Sequence, residues 1–300
     1  MNSPSFMQTQ VLIIGGGVTG TALARDFALR GVDCILVEKD DINAGASGRN
    51  HGLLHSGARY VAGDLDAAME CRAEGEILKR VAAHTIEDTG GYFVAVQGDD
   101  ERYIADFPGY CERAGIDARP VEVAAARAQE AALSAQTIAV FELPDAAIDP
   151  FRLSLESMAH AHSLGARLLR RSRVVGFERE GSRIRAARVQ TLGGAQELRI
   201  EADQVVNAAG AWAREVALRA GAPLAMSYSK GTLLVTHERL ASRVVNRLRR
   251  PSNADIMMPG GTVSIVGTTS TRVDALDGIC PTTAEADLIV EEEARMLPAL

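Results

Sequence analysis

Three glycines near the N-terminus have a spacing that could bind a nucleotide. Gly15, Gly17 and Gly20 form the pattern G-x-G-x-x-G, in which the first glycine permits a tight turn and the second lets the backbone approach a pyrophosphate. The third lets a helix pack closely against the preceding strand. Glu38 follows about 20 residues later, where a carboxylate can accept hydrogen bonds from ribose hydroxyls. The pattern predicts a dinucleotide site, and it does not distinguish NAD from FAD.

The elements around these glycines are those that a dinucleotide site needs. Residues 11–14 predict a buried strand, residues 19–30 have helical spacing, and residues 34–37 predict a second buried strand. A further strand at residues 204–206 runs into a glycine, Gly210, before another helix. Two such transitions from strand through glycine to helix predict one α/β sheet that the chain enters twice.

The remaining segments predict several helices and then short strands. Helices are expected at residues 64–83, at 101–128 with a break at Pro108-Gly109, at 149–164 and at 285–296. Residues 173–200 alternate as antiparallel strands do, with a hairpin turn at Gly193-Gly194. The β-rich segments after Pro223 predict a second domain with an antiparallel sheet.

Composition argues against several classes of protein. The 300 residues carry a formal charge of -7, so no nucleic-acid partner is expected, because such binding needs a basic surface. Arginine-rich stretches at 167–188 and 239–250 are interpreted as solvated faces, with two alternatives, contact with an anionic lipid surface or with an acidic partner protein of the same complex. The four cysteines are widely separated, which predicts no metal site and no redox dithiol. Without a signal peptide or a spanning apolar run, a cytoplasmic protein is expected, one that at most lies on a membrane.

Several segments resemble the FAD-dependent glycerol-3-phosphate dehydrogenases, most closely the large catalytic A-subunit of the anaerobic bacterial type. The longest shared segment is Gly-Arg-Asn-His-Gly-Leu-Leu-His-Ser-Gly-Ala-Arg-Tyr at residues 48–60. The other shared segments are residues 13–17, 149–153, 206–210, 230–231 and 267–269. The resemblance covers nearly the whole chain and selects FAD over NAD as the cofactor.

The resemblance implies an α/β flavoprotein fold similar to that of D-amino-acid oxidase. Residues 8–84 and 149–222 would form a dinucleotide-binding FAD domain. Residues 85–148 and 223–300 would form a cap, or substrate domain, built on an antiparallel sheet and incomplete in this chain.

The resemblance also implies roles for individual residues. The flavin would be lined by residues from one short segment, namely Asn50, His51, Gly52 and Leu53. Val174 or Val175 would lie by the adenine, and Gly210 would close over the cofactor. The substrate would be faced by His55, Arg59 and Tyr60.

The implied reaction oxidises sn-glycerol 3-phosphate to dihydroxyacetone phosphate, and electrons then pass through FAD to partner subunits and quinone. Arg59 offers a planar set of donors for the phosphate. His55, with an ordinary imidazole pKa, would accept the hydroxyl proton, and Tyr60 would orient the substrate. The alternatives are that His55 only hydrogen-bonds within its loop, that Arg59 pairs with a carboxylate, and that His51 is structural. Lys230 and Thr268 are weaker substrate-side candidates.

Members of the resembled family continue beyond the position of Leu300, through another substrate-facing arginine and a Gly-Gly-Lys segment that completes the flavin site. This chain has neither. We therefore expect a C-terminally truncated chain that binds FAD weakly and turns over slowly or not at all. The other functions left open are a related flavin oxidoreductase acting on an amine or 2-hydroxy acid, and a non-catalytic nucleotide-binding fragment. The resemblance places the enzyme in the cytoplasm, peripheral on the cytoplasmic face of the inner membrane.

Overall fold

The computed structural model describes residues 5–193 and 197–300. The chain divides into two compact units. Unit 1 comprises Met1–Asn50 and Pro150–Tyr228, and unit 2 comprises His51–Asp149 and Ser229–Leu300.

The helices and strands follow one another in both units. The helices are α1 Val18–Leu29, α2 Leu65–Val81, α3 Glu101–Arg113, α4 Val123–Gln129, α5 Pro150–Ser163, α6 Ala213–Arg219 and α7 Thr283–Ala294. The first nine strands are β1 Ser5–Ile14, β2 Cys34–Val37, β3 Leu53–Leu54, β4 Ile86–Glu87, β5 Gly91–Val96, β6 Arg119–Val121, β7 Thr137–Leu143, β8 Ala146–Ile148 and β9 Arg167–Leu169. The others are β10 Ser172–Glu180, β11 Arg183–Thr191, β12 Glu197–Asn207, β13 Tyr228–Lys230, β14 Leu233–Val235, β15 Val244–Arg247, β16 Ile256–Gly260, β17 Val263–Gly267 and β18 Thr271–Val273.

Unit 1 is built on a six-stranded sheet in the order β10-β11-β12-β1-β2-β9. Strands β12, β1, β2 and β9 are parallel to one another, whereas β10, β11 and β12 are joined antiparallel. Alternate residues of β1 enter two apolar clusters, with Ile13 packed beside α1 and α5 and Leu12 beside β10 and β11. The sheet therefore starts with the predicted βαβ unit, and the chain enters it again as predicted, through β12, which pairs with β1.

Strand β12 is longer than the sequence predicts. It pairs with β1 from Leu198 to Asn207 in one constant register, so the two strand segments expected on either side of residue 203 are one strand. The expected turn at Gly193-Gly194 falls partly outside the described residues, because Gly194 is not among them. The antiparallel pairing of β11 with β12 is present on both sides of that position.

Unit 2 contains the predicted antiparallel sheet. Its seven strands have the order β14-β17-β16-β15-β5-β7-β6, and only β15 and β5 are parallel to each other. A small sheet, β3-β8-β4, and a two-stranded sheet, β13-β18, accompany it. The aromatic rings of Phe93, Phe107 and Phe141 pack against one another in the core beside β5.

The helix predicted over residues 101–128 is wrong in its extent. Helix α3 runs through Pro108 and Gly109 and ends at Arg113, after which β6 and α4 follow. A proline inside a helix costs about 3 kcal/mol. Here Phe107 and Cys111, on either side of the proline, are both fully buried in the aromatic cluster, and this packing opposes the cost.

The boundary between the units also differs from the prediction. Residues 51–84 lie in unit 2, whereas the sequence placed them with residues 8–50. The reason is packing, because Ala58, Val61 and Ala68 belong to the same buried cluster as Phe93 and Phe107. Small residues in a loop and on one helix face carried no signal of this partner.

The arginine-rich stretch at 239–250 is not simply a solvated face. Its centre is β15, a strand buried at every position. The guanidinium of Arg247 is 1% exposed and donates to both carboxylate oxygens of Asp99, at 2.7 and 2.8 Å. Across the described ranges, the structure contains no helix long and apolar enough to cross a membrane.

Candidate functional site

The glycine loop at the end of β1 is too closely packed for any larger residue. Gly15 has φ +114°, and a Cβ atom added there would lie 2.4 Å from the carbonyl oxygen of Ala208. A Cβ atom at Gly20 would lie 1.9 Å from the carbonyl oxygen of Gly15. Both positions therefore require glycine, as the G-x-G-x-x-G pattern predicts.

Helix α1 begins at the glycine loop, and backbone N–H groups at its N-terminus are available to bind an anion. Gly17 is the N-cap and provides no side-chain hydrogen bond to the first turn. Ser47 supplies one partner, since its Oγ accepts from the N–H of Val18 at 3.0 Å. The remaining N–H groups and the helix dipole favour negative charge at this end. The pyrophosphate of a dinucleotide fits these donors.

Glu38 directly follows β2 and is fixed against the glycine loop. Its Oε2 accepts a hydrogen bond of 2.6 Å from the N–H of Gly16, and its Oε1 accepts one of 2.7 Å from the N–H of Asp40. A carboxylate can accept about four hydrogen bonds in all, so both oxygens can still accept from ribose hydroxyls. The predicted contact with ribose is compatible with this geometry and stays a prediction.

Val174 and Gly210 occupy different positions in unit 1. The side chain of Val174 is buried in the core beside β1, so it cannot itself contact a nucleotide. A register shift between Val174 and Gly176 leaves Val175 without an opposite residue on β11, and β10 is an edge strand. Gly210 has φ +54°, with open space where a Cβ atom would stand.

A contact that the sequence did not predict lies beside Glu38. The Nζ atom of Lys39 is 3.8 Å from the centre of the Trp212 ring, a cation–π geometry. A Cβ atom added at Gly45 would lie 3.2 Å from the same ring. Trp212, interpreted from the sequence as packing at a helix start, therefore also holds the segment that follows Glu38.

The predicted flavin-lining segment is held by its own hydrogen bonds. In unit 1, Asn50 donates to the carbonyl of Ser47 at 2.8 Å. In unit 2, His51 Nδ1 accepts from the N–H of Leu53 at 3.2 Å, and the carbonyl of Gly52 accepts from the N–H of Ile148 at 2.8 Å. These bonds fix residues 50–53 locally, and their role in binding flavin stays a prediction.

Three of the predicted site residues come together in unit 2. The rings of His51 and His55 are 6.0 Å apart between centroids, and those of His55 and Tyr60 are 5.6 Å apart. Burial, followed by the charge of Arg59, lowers the pKa of His55 to about 4. Burial also lowers the pKa of His51 to about 4, aided by His55 and Arg59. The expected ordinary pKa for His55 is therefore wrong, and both imidazoles are uncharged at neutral pH.

Arg59 pairs with a carboxylate, the alternative that the sequence left open. Its Nη2 lies 3.1 Å from Oδ2 of Asp255 and donates to the carbonyl of Ser252 at 2.8 Å. Within the described part of the chain, Nη1 and Nε of this arginine make no hydrogen bond. The pairing with Asp255 therefore leaves most of the guanidinium donors available.

Two buried carboxylates support this loop, and sequence analysis missed both. Asp145 accepts from the N–H of Ser56 at 2.7 Å and from the amide of Asn246 at 2.9 Å. Burial raises the pKa of Asp145, and these hydrogen bonds oppose the shift. Asp255 is fully buried beside Arg59. No local pattern connects either carboxylate with this loop, because Ser56 and Arg59 are remote from them in sequence.

The weaker substrate-side candidates are engaged within the protein. Lys230 donates to Glu285 at 2.7 Å and to the carbonyl of Cys280 at 2.9 Å. The hydroxyl of Thr268 donates to the carbonyls of Thr232 and Thr269, each at 3.1 Å. Nothing in these contacts favours a role in binding substrate.

Comparison with known proteins identifies the family. Residues 10–300 match the model of a family described as FAD dependent oxidoreductase. The chain belongs to the FAD dependent oxidoreductase family. This flavoprotein is 42% identical over 302 residues to the A-subunit of the anaerobic glycerol-3-phosphate dehydrogenase of Escherichia coli (strain K12), covering 100% of this chain and 56% of that relative. It is 40% identical to the corresponding subunit of Haemophilus influenzae, covering 99% of this chain and 53% of that relative. The flavoprotein thus spans about half the length of these curated relatives.

Solved structures of other proteins show the same fold. The L-proline dehydrogenase of P. horikoshii superposes with a TM-score of 0.83 at 20% identity, covering 98% of this chain and 78% of that one. The glycerol-3-phosphate dehydrogenase of Bacillus halodurans, solved in complex with FAD, gives a TM-score of 0.74 at 22% identity, covering 98% of this chain and 54% of that one. At these identities the likeness concerns the fold alone.

The comparisons confirm three predictions from the sequence. They confirm the similarity to the A-subunit of anaerobic glycerol-3-phosphate dehydrogenase, the flavoprotein fold, and FAD as the cofactor. The glycine loop, the open N-terminus of α1 and the anchored Glu38 fit the adenine dinucleotide part of FAD. The roles of individual site residues stay predictions.

Proposed function

We propose that this flavoprotein oxidises sn-glycerol 3-phosphate to dihydroxyacetone phosphate and passes the electrons through FAD to partner subunits and a quinone. The observation that carries this proposal is the arrangement of His55 and Arg59 in unit 2. An uncharged imidazole stands in the same short loop as a guanidinium that has donors to spare. Similarity along the whole chain to subunits named for this activity supports it.

Some residues would hold the adenine dinucleotide part of FAD, and others would line the flavin. Gly15, Gly17 and the first turn of α1 would bind the pyrophosphate, and Glu38 would accept from the ribose hydroxyls. The backbone of Val174 or Val175 would lie by the adenine, Gly210 would close over the cofactor, and residues 50–53 would line the flavin. FAD, when bound, supplies an acceptor for the two electrons and the hydrogen that leave the substrate as hydride.

His55 would take the proton in this reaction. Oxidation of a secondary alcohol to a ketone removes a hydride from the carbon and a proton from the hydroxyl oxygen. A neutral imidazole has the free lone pair that this proton needs, and the pKa of about 4 keeps His55 neutral in the free protein. The negative charge of a bound phosphate would raise that pKa and make the imidazole a stronger base.

Arg59 and Tyr60 would position the substrate. The Nη1 and Nε atoms of Arg59 could donate to phosphate oxygens while Nη2 stays on Asp255 and Ser252. Burial raises the pKa of Tyr60, so its phenol stays protonated and can donate a hydrogen bond to a substrate oxygen.

The partners of this function are proposed from the relatives. Because those relatives are named as subunits, we infer that electrons leave FAD toward other subunits of one complex. That complex would lie peripherally on the cytoplasmic face of the membrane that holds the quinone.

The first test is an anaerobic absorption spectrum of the protein loaded with FAD. We expect sn-glycerol 3-phosphate to bleach the bound flavin, and glycerol, which lacks the phosphate, to do so far more slowly. Arg59→Ala should lose the response to sn-glycerol 3-phosphate and retain bound FAD. Bleaching by L-proline or L-lactate but not by sn-glycerol 3-phosphate would instead indicate an oxidoreductase for amines or 2-hydroxy acids. Bound flavin that no substrate reduces would indicate a nucleotide-binding fragment.

A further inference from the structure

The carboxylate of Asp255 binds two arginines at once. Its Oδ2 lies 3.1 Å from Nη2 of Arg59, and its Oδ1 accepts from Nε of Arg249 at 2.8 Å. The N–H of Ser252 donates to Oδ2 at 2.6 Å. The Asp255 side chain is fully buried, whereas those of Arg59 and Arg249 are 15% and 20% exposed. Both cations are thus attached at one end to a buried anion and remain partly open to solvent.

The two arginines differ in how many donors they use. Arg249 is bound through all three nitrogens, because Nη1 also contacts Glu292 at 2.9 Å and Nη2 donates to the carbonyl of Asn253 at 3.3 Å. Arg59 is bound only through Nη2 within the described ranges. Arg249 therefore fixes Asp255, and Asp255 in turn fixes Arg59.

The shared carboxylate also leaves charge on Arg59. Arg59 shares the charge of Asp255 with Arg249 and one backbone donor, and the second carboxylate of the cluster, Glu292, contacts Arg249, so Asp255 neutralises Arg59 only in part. An arginine held in one rotamer by a single nitrogen loses little further side-chain entropy when its other nitrogens bind an anion. These are the properties of a guanidinium that is preorganised to donate hydrogen bonds to a phosphate.

We propose that Asp255 is a positioning residue for the phosphate of the substrate, acting through Arg59 and itself held by Arg249. Asp255 touches no substrate atom in this proposal. The inference rests on the proposed function, because it assigns to the phosphate of sn-glycerol 3-phosphate the free donors of Arg59.

A second buried pair in the same unit has none of these properties and serves as a control. Arg247 donates to both oxygens of Asp99 through Nε and Nη2, and its side chain is 1% exposed. It has no donor open to a ligand. Loss of Asp99 leaves the buried Arg247 without its carboxylate, and loss of Asp255 removes the buried partner of two half-buried arginines, so both changes should cost stability. Only loss of Asp255 should also weaken phosphate binding.

The test compares Asp255→Asn with Asp99→Asn in the FAD-loaded protein, using calorimetric titration with sn-glycerol 3-phosphate and with inorganic phosphate. Both variants are measured at a temperature at which each is folded. We expect Asp255→Asn to raise the Kd for both ligands at least about tenfold, the range for loss of an ordered charge-assisted contact. Asp99→Asn should leave both within about twofold. In turnover, KM should rise for Asp255→Asn and the rate at saturating substrate should change much less.

A double-mutant cycle separates positioning from a general loss of stability. Lysine at position 59 cannot hold Asp255 and a phosphate simultaneously through separate planar donors. In the Arg59→Lys background, Asp255→Asn should therefore change the Kd less than about twofold. If Asp255→Asn does not fold, Asp255→Glu replaces it. That variant keeps the charge and displaces the guanidinium, and it should give an intermediate rise in Kd that Asp99→Glu does not give.

The outcomes distinguish this inference from the proposed function. An unchanged Kd in Asp255→Asn, or an equal rise in Asp99→Asn, overturns the positioning role while the native protein still binds sn-glycerol 3-phosphate. A native protein that binds FAD and binds neither phosphate ligand contradicts the proposed substrate, and the positioning role falls with it.

Discussion

The carboxylate of Asp145 accepts a hydrogen bond of 2.7 Å from the backbone N–H of Ser56, the residue that follows His55. Asp145 is 1% exposed, and the amide of Asn246 donates to its other oxygen at 2.9 Å. A buried carboxylate that accepts a hydrogen bond from a loop N–H fixes the path of that loop, because no water can take the place of the carboxylate. Asp145 thus fixes the segment that carries His55, Arg59 and Tyr60.

Removal of Asp145 should loosen this segment and destabilise unit 2. Asp145→Ala leaves the N–H of Ser56 and the amide of Asn246 unsatisfied, and we expect a loss of about 2–4 kcal/mol in the free energy of unfolding. Asp145→Asn keeps an acceptor oxygen for Ser56 and should cost less. Urea denaturation gives both values. Asp117→Ala, on an exposed side chain, should change stability by less than about 0.5 kcal/mol, and an equal effect there would argue against this role.

Substitutions in the glycine loop should weaken FAD binding to different degrees. Gly20→Ala places a methyl group where only 1.9 Å separates it from a backbone oxygen, so the βαβ unit must distort. Within the protein, Gly17→Ala meets only the Ser47 side chain, with the hydroxyl at 2.9 Å, so it should distort the fold less than Gly20→Ala and weaken FAD binding mainly by keeping the pyrophosphate from the backbone. Gly109→Ala, with open space at its Cβ position, should leave FAD affinity unchanged. Equilibrium dialysis with FAD measures all three affinities.

Fluorescence of Trp212 offers a second readout of the same binding. The chain has one tryptophan, and it lies under Lys39 in the unit that carries the glycine loop. We expect FAD to quench its emission in the native protein and in Gly109→Ala, and not in Gly20→Ala. Quenching of Gly20→Ala at native FAD concentrations would contradict the role assigned to the loop.

The sequence predicts best what neighbouring residues determine. The strand, glycine turn, helix and second strand around Gly15 are encoded within thirty or so adjacent residues by apolar runs and turn residues, and the structure has all of them. A second apolar run that ends in glycine predicted that the chain re-enters the sheet, and the position of β12 beside β1 came from the structure. Helix α3 continues through Pro108, where the sequence predicts a break, because the burial of Phe107 and Cys111 outweighs the local effect of the proline.

The site was predicted less completely because its supports are remote. Asp145 and Ser56 are 89 positions apart, and Asp255 and Arg59 are 196 apart. No periodicity or spacing connects residues at such separations. The pKa of His55 depends on how much protein surrounds the ring, and composition does not contain that information. His55, Arg59 and Tyr60 were identifiable only through resemblance.

The two site histidines should stay neutral far into the acid range. Unfolded histidine titrates near pH 6.5, and the folded pKa of each is about 4. The unfolded state therefore binds more protons between these values, so the stability contributed by neutral His51 and His55 is present above pH 6.5 and is lost as pH falls toward 4. Each full shift corresponds to about 3 kcal/mol at most.

NMR titration of the imidazole protons, without substrate, checks this directly. The sequence has six histidines, and the resonances removed by His51→Gln and by His55→Gln should show midpoints near pH 4. His55→Gln should also flatten the dependence of unfolding free energy on pH between 4 and 6.5. A midpoint near 6.5 for His55 would show that its ring is not buried as the structure has it.

The carboxyl group of Glu293 should destabilise the protein at neutral and alkaline pH. It lies on α7 with no exposed surface, and among the residues that the structure describes neither oxygen has a hydrogen-bond partner. Burial raises its pKa well above the ordinary glutamate value, and the nearby N–H groups of Gly267 and Ile256 oppose the shift without satisfying either oxygen. Because the folded pKa exceeds the unfolded one, stability is highest below the unfolded pKa near 4.5 and is lost as pH rises through the folded pKa.

Glu293→Met keeps a similar volume, removes the ionisable group and should therefore stabilise the protein. We expect a gain of about 1–4 kcal/mol at pH 8, the range for replacing a poorly satisfied buried ionic group with an apolar one. The gain should shrink at pH 5, where the native carboxyl is more fully protonated. Glu291→Met, on an exposed position of the same helix, should give no comparable gain at either pH. A gain of equal size at pH 5 and pH 8 would mean that the carboxyl titrates alike in the folded and unfolded states, and it would contradict the raised pKa of Glu293.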